Sequence, residues 1–405
     1  MHIVFVSREY TPTLRGGGIA SYIRETAIGL LKRGHQVTVC CASDNTKEES
    51  EYTDNGIRVI RLSGGDFVIS EKEKVTLWRK FRCLYRFYSY RRKIYHTIKR
   101  INDIDIIEVA EFGAEAFYLT QIDLPVTIRL HTPTLLDRDN AGKKKIHLNT
   151  FYEYWIGNQE LKILPQFKYI TSCSLSLKNW FTKYVPNLKP EIKVIYNSIN
   201  IGLWENIQSC SYEENSVLYV GTVAKEKGIG DLIEACKILR QETNIPITLK
   251  IAGKLGTYAQ TLKQSTKEKG YDWCSFLGNQ PREKLKLLYA QSKISCFPSW
   301  WENMPLVCLE AMLAGNIVIG STNGGMAEII ENNKNGYLVE PHNPRALALC
   351  LKNALKETKE SVLLKKTNAY IKIKEKFSTQ VILEKLEEYY LNTIKDYEKS
   401  KNIMG

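Results

Sequence analysis

The constraint that most narrows the fold is a rhythm that runs, stops and starts again. Short β-branched runs alternate with longer helical stretches: IVFV at 3–6, QVTVC at 36–40, IRVIRL at 57–62, IDIIEV at 104–109, PVTIRL at 125–130 and FKYITSC at 167–173. This is the strand–helix–strand alternation of a doubly wound parallel sheet. After KVIYNSINIGLW at 193–204 and a polar stretch at 205–215, it resumes with SVLYVG at 216–221, then ITLKIAG, WCSFLG, KISCFP and NIVIG. At 405 residues the chain also exceeds the roughly 250–300 at which one hydrophobic core stops growing. The fold class expected is α/β, with two Rossmann-like doubly wound domains, 1–200 and 201–378. A final helix at about 379–400 would pack back on the first.

Composition narrows the classes of function. The chain is 43% hydrophobic and 25% charged, the balance of a folded soluble protein. Its 57 bases against 44 acids leave +13, which biases the surface towards nucleic acid, acidic lipid or phosphorylated small molecules. The ten cysteines form no C-x-x-C pair, and several lie in apolar runs such as ISCFP at 294–298, so they read as reduced core residues of a cytoplasmic protein. Six dispersed histidines offer no ligand spacing for a metal. MHIVFVSREY reads as a first strand, not a signal peptide, and no apolar run reaches the ~18 residues that span a bilayer.

Residues 72–100 stand apart, with eleven Lys/Arg against the single acid Glu73 and seven interleaved aromatics. That mixture suits an anionic membrane surface, where basic heads meet phosphates and Trp and Tyr rings sit at head-group depth. It equally suits a surface helix whose aromatics face its own domain. Nucleic acid is the weakest partner, because no recognition motif accompanies the charge.

Three stretches carry candidate chemistry. Gly16, Gly17 and Gly18 precede an amphipathic helix, where backbone N–H groups can approach an anionic ligand; the spacing is not G-x-G-x-x-G, so no dinucleotide fingerprint is present. VGTVAKEKG at 220–228 puts Lys227 at the C-terminal edge of a first strand, a place where parallel sheets bind phosphate-bearing ligands. The most informative stretch is 297–341, in which Glu302 and Glu310 are eight steps apart and Pro305 stands at a helix start. Eight steps of helix rise about 12 Å, the reach from a sugar across a diphosphate to a ribose, but turn roughly 80° off eclipse. The two carboxylates therefore share a face only if Glu302 lies in the loop ahead of the helix. A carboxylate accepts two O–H bonds from vicinal hydroxyls, so the pair reads as a two-ended ruler for a nucleotide sugar. The N–H groups of Asn303, Met304 and Leu306 would face its phosphates at the helix start. Gly324, Gly325 and Glu328 form a second glycine turn.

On these motifs the chain resembles the retaining GT-B glycosyltransferases of family 4. The matching elements are G-x-x-x-x-x-K-G, I-A-G, F-L-G, P-S-x-x-E-x-x-P-x-x-x-x-E-A-M-x-x-G, G-G-x-x-E and N-G-x-L-V-x-P, with the GGG-helix segment and RLHTPT at 129–134 similar to the family's acceptor domain. The resemblance implies two domains facing a cleft, the first binding acceptor and the second donor. Glu302 would bind donor-sugar hydroxyls, Glu310 the ribose and Lys227 the diphosphate. His131 would lie beside the transferred sugar, with Gly17 and Gly18 near the phosphates. One position departs: the family commonly has Arg after the first glycine, and this chain has Thr222. The missing cation would come from elsewhere, with Lys225, Lys254 and Arg282 as candidates.

The implied activity is hexosyl transfer with retention and without a metal or other cofactor, the nucleotide sugar being a substrate. The D-x-D pairs at 103–105 and 137–139 are read as chance. Partners implied are a nucleotide-sugar donor and a glycan or lipid-linked acceptor at the inner face of the membrane. Alternatives are a nucleotide-sugar epimerase or phosphorylase on the same scaffold, or a non-catalytic partner subunit of a transferase.

Overall fold

A computed structural model describes residues 1–13, 17–44, 48–65, 77–140, 151–185, 188–204 and 212–404. Gly16, residues 72–76 and most of the linker at 205–215 lie outside the described residues. The chain divides into two compact units, Met1–Ser198 with Thr379–Gly405, and Ile199–Ser378.

In the first unit the elements run β1 (His2–Ser7), α1 (Gly18–Lys32), β2 (Gln36–Ala42), β3 (Ser50–Asp54), β4 (Ile57–Leu62), α2 (Leu77–Ile98), β5 (Ile106–Ala110), β6 (Val126–Leu130), α3 (Thr134–Asn140), α4 (Phe151–Ile163), β7 (Tyr169–Ser172), α5 (Leu175–Tyr184) and β8 (Ile192–Val194). The sheet order is β3-β4-β2-β1-β5-β6-β7-β8. Both β1 and β5 are buried throughout, as strands in the middle of a covered sheet should be.

The sheet is not wholly parallel, which corrects the expectation. β3 pairs antiparallel with β4 through a two-residue turn in which Asn55 (φ 49°) and Gly56 (φ 89°) are both left-handed. Asn-Gly supplies that primed turn at little cost, and the polar, alternating SEYTD suits an exposed edge. Asn197 and Ser198 read as the end of a strand, but the pairing of β8 stops at Val194. Beyond it Asn197 accepts a bond from Arg129 and Ile199 donates to Phe377 O, so the backbone leaves the ladder.

The second unit comprises β9 (Glu213–Val220), α6 (Ile229–Thr243), β10 (Thr248–Ala252), α7 (Thr257–Glu268), β11 (Cys274–Gly278), α8 (Arg282–Ala290), β12 (Ser292–Phe297), α9 (Leu306–Leu313), β13 (Ile317–Ser321), α10 (Met326–Ile329), β14 (Tyr337–Val339), α11 (Pro344–Leu355) and α12 (Lys359–Lys376). Its strands are all parallel, in the order β11-β10-β9-β12-β13-β14.

The last helix, α13 (Thr379–Met404), belongs to the first unit. Ile382, Leu383, Leu386 and Tyr390 are buried in one core with Ile3, Phe5, Tyr22 and Leu30. Gly29 of α1 is what lets the helix in, since a Cβ there would stand 2.4 Å from Leu383 Cδ1. Below that contact, the Glu108 carboxylate accepts bonds from Tyr22 (3.0 Å) and Tyr390 (2.8 Å), and Arg129 lies over the Tyr22 ring.

Candidate active site

In the second unit β9 and β12 are neighbours from which the chain winds outward in opposite directions. The loops leaving their C-terminal ends thus stand at the switch point of the strand order, the usual ligand position in such sheets. After β9 come Gly221, Thr222 and a single 3-10 turn, Lys225–Lys227, closed by left-handed Gly228 (φ 69°). After β12 come Pro298, Ser299 and the Trp-Trp-Glu sequence that leads to α9. The two loops touch: a Cβ on Gly228 would stand 2.1 Å from Pro298 O, and Trp300 N donates to Glu226 O.

That contact brings Lys227 Nζ to 2.7 Å from Glu302 Oε1, which also accepts from Ser299 Oγ at 3.0 Å. Glu302 lies in the loop, three residues before Pro305 caps α9, which is the condition the carboxylate spacing sets. Its backbone is held as firmly as its side chain. Gly325 N donates to Glu302 O at 2.7 Å, and a Cβ on left-handed Gly324 (φ 72°) would come within 2.1 Å of the same oxygen. Glu310 lies in the second turn of α9, where the buried Tyr289 hydroxyl reaches Glu310 Oε2 at 3.4 Å. Burial, then Glu310, pushes that phenol well above its usual range, so it remains a donor.

Of the other predicted residues, Asn303 accepts a bond from Trp301 Nε1, Met304 is buried and Leu306 opens α9. Thr222 is exposed, and its carbonyl accepts from the Tyr219 hydroxyl at 2.9 Å. The structure thus joins Lys227 to Glu302 directly, whereas Asn303, Met304 and Leu306 follow as one backbone segment.

In the first unit, Gly17 is the N-cap of α1 and is exposed with Gly18. His131 follows β6, buried, its ring 4.9 Å from that of Tyr22. Burial, and then the Arg129 guanidinium, pushes its imidazole well below the usual range, so the ring is neutral at pH 7. Sequence reasoning missed what holds it. Glu111 Oε1 accepts the N–H groups of both His131 (2.8 Å) and Thr132 (2.6 Å), and burial pushes the Glu111 carboxyl up to about 8. Glu160, pushed up by burial to about 7, accepts from Gly113 N and Thr134 N. Ser299 was equally missed as a partner of Glu302, although it stands in the P-S-x-x-E motif.

The D-x-D pairs occupy structural positions. Asp105 accepts the backbone N–H of His2 at the start of β1, the opposite end of that strand from the glycine loop, and Asp137 and Asp139 belong to α3. Among the described residues no three His, Cys, Asp or Glu side chains cluster as a metal site. Among the same residues, no helix is long and apolar enough to cross a membrane. Helix α2 carries two faces. Phe87, Tyr90, Ile94 and Ile98 are buried, while Trp78 (73% exposed), Phe81 (66%), Tyr85 (74%) and Tyr88 line the outside at spacings of three and four.

Comparison with known proteins bears on this geometry. The model of the family described as Glycosyltransferase Family 4 matches residues 16–203, and that of Glycosyl transferases group 1 matches 204–375. Relatives along the chain include an uncharacterised glycosyltransferase of Methanocaldococcus jannaschii, 27% identical over 86% of this chain and 87% of that protein. A glycogen synthase of Mycobacterium tuberculosis is 24% identical over 88% and 86%. In fold, the chain is similar to the sucrose-phosphate synthase of Thermosynechococcus elongatus, with a TM-score of 0.78, 20% identity, and 96% of this chain and 98% of that one covered. It is also similar to HepE of Anabaena in complex with UDP and glucose, with a TM-score of 0.67, 16% identity, and 96% and 98% covered. Two successive family models account for nearly all of residues 16–375, and the chain belongs to the family 4, group 1 glycosyltransferases of the GT-B fold.

Proposed function

We propose that this glycosyltransferase is a retaining, metal-independent hexosyltransferase that carries a sugar from a nucleotide-sugar donor to a hydroxyl of a glycan or lipid-linked acceptor, in surface-polysaccharide or glycolipid assembly. The observation that carries the reading is the cradle around Glu302, fixed by Lys227, Ser299 and the Gly324–Gly325 turn at the switch point between β9 and β12. Lys227 and Glu302 are each about a quarter exposed, so their ion pair contributes little to stability, and a ligand can reach both. That solved proteins of this fold hold UDP with glucose or with UDP-2-fluoro-glucose supports a donor of this class.

In this reading Glu302 accepts bonds from sugar hydroxyls and Glu310 from the ribose, with Thr222 and the backbone N–H groups of Asn303, Met304 and Leu306 lining the diphosphate. As the C1–O bond breaks, its electron pair leaves with the diphosphate, and Lys227 turns from Glu302 to that growing charge. The acceptor oxygen bonds to C1 on the face the diphosphate leaves, and its proton passes to the departing phosphate. His131, neutral, donates one hydrogen bond to a sugar hydroxyl without adding charge, and Gly17 and Gly18 offer N–H groups to the phosphates. No cofactor takes part.

A thermal-shift screen against UDP, GDP, ADP and their sugars tests the donor, because a ligand held by the native state raises Tm. Transfer followed by NMR of the product anomer tests retention, and turnover lost in EDTA would overturn metal independence. The exposed aromatic row of α2, flanked by Arg82, Arg92 and Lys93, supports docking on an anionic membrane at the cytoplasmic face. Vesicles with acidic lipid should retain the protein at low salt and release a W78S/F81S/Y85S variant. Equal retention of both would remove the membrane from the account.

A further inference from the structure

A departing diphosphate bears more negative charge than Lys227 alone matches, and at the next position where this family commonly holds a cation the chain has Thr222. The sheet register indicates where the second cation is. β9 and β10 pair in parallel with Val220 opposite Ala252, and the same offset recurs beyond both strands where Val223 bridges Leu255. Val223 N donates to Lys254 O at 3.1 Å, so the two loops continue the ladder and set Lys254 opposite Thr222. They approach as closely as backbones allow, since a Cβ on Gly253 (φ 152°) would fall 1.7 Å from Gly221 O. The alternation of the ladder also continues: Val223 is buried, whereas Thr222 and Lys254 are both exposed. Neighbours opposite one another in a parallel ladder lie on one face of the sheet, about 5 Å apart, within reach of a lysine side chain.

We propose that Lys254 is the second diphosphate-binding cation of this enzyme, having taken over from the neighbouring strand the charge absent at Thr222. The other candidates are placed less directly. Lys225 Nζ lies 6.0 Å over the Trp300 ring, and Arg282 opens α8 after β11, two strands from β9 in the sheet. Lys254 forms no ion pair among the described residues, while Lys227 is held by Glu302. The inference rests on the nucleotide-sugar reading above and names one further residue for it.

The test is the binding of UDP, GDP and ADP, each beside its own nucleoside, to the full chain. K254M should weaken the nucleoside diphosphate that binds by about tenfold, the worth of one charge-assisted bond, and leave the nucleoside unchanged. K254R should keep the affinity, and T222R/K254M should restore most of it, because the charge returns to the register partner. Unchanged diphosphate affinity in K254M overturns the proposal, as does equal loss for nucleoside and diphosphate. If K254M melted early without ligand, T222R alone would decide: with Lys254 already serving, the added Arg should gain about twofold or less, and a tenfold gain would overturn the assignment. Wild-type protein that binds none of the three diphosphates would instead overturn the nucleotide-sugar reading itself.

Discussion

The two units hold their candidate residues by different means. In the second, Lys227, Ser299, Glu302 and the Gly324–Gly325 turn stand in loops at one edge of a sheet, joined by short contacts across glycines that admit no Cβ. In the first, His131 is set by a buried carboxylate on a neighbouring strand's exit, Glu111, and its surroundings by Arg129, Glu108 and a helix from the far end of the chain. The first arrangement is local and half open to solvent; the second is long-range and dry. Side chains of the open kind should therefore trade activity without stability, whereas the buried kind, and the close glycine contacts, should couple the two.

The largest effect should follow from ending the chain after Ser378. Removing α13 uncovers the first unit's core, and four large apolar side chains at about 2 kcal/mol each amount to roughly the whole stability of a typical domain. Calorimetry should show the first unit's transition gone; a transition kept within a few degrees would mean that α13 is an accessory. Next is E302Q, which should lower kcat by 100-fold or more, about 3 kcal/mol of transition-state stabilisation, with Tm moving by a degree or two. A large Tm drop with kcat intact would put Glu302 on the structural side of the comparison. G324A forces a side chain into a left-handed position against Glu302 O, so it should cost roughly 1–3 kcal/mol and lower activity together, by bending the cradle.

The effect that leaves activity least changed, and the most specific, is a pH dependence of stability. The Glu111 carboxyl titrates near 8 when folded and near 4.5 when unfolded, so the unfolded state holds fewer protons between those values. Its contribution to stability is complete at low pH and is lost as pH rises through about 8, with Glu160 adding the same sign up to about 7. His131, pushed down, acts oppositely and only below its ordinary range. Relative to E111Q, the wild type should thus lose on the order of 3 kcal/mol between pH 5 and 8. Parallel stability curves for the two proteins would show that Glu111 does not titrate in this interval.

Which parts of this were legible in the sequence follows from the same contrast. β-branched runs gave the parallel strands, because burial on both faces demands them, and the carboxylate spacing around Pro305 gave Glu302 its loop. The edge strand β3 escaped because SEYTD lacks an apolar run, although Asp-Asn-Gly at 54–56 carries the turn chemistry that could have found it. Gly324 was visible as a turn glycine, but its grip on the Glu302 carbonyl depends on a fold-level approach that no local pattern encodes. Glu111, Arg129 and Tyr390 were invisible for the same reason, since each acts on a partner at least 20 residues away in the chain.

The chain path has a consequence for biogenesis. Residues 199–378 are threaded into the first unit's polypeptide, whose closing helix is synthesised only after them. The usual order of vectorial folding is thereby inverted: the downstream unit is complete while the upstream one still waits, its apolar surface of Ile3, Phe5 and Tyr22 uncapped. A nascent chain halted before residue 379 should therefore engage chaperones through the part synthesised first.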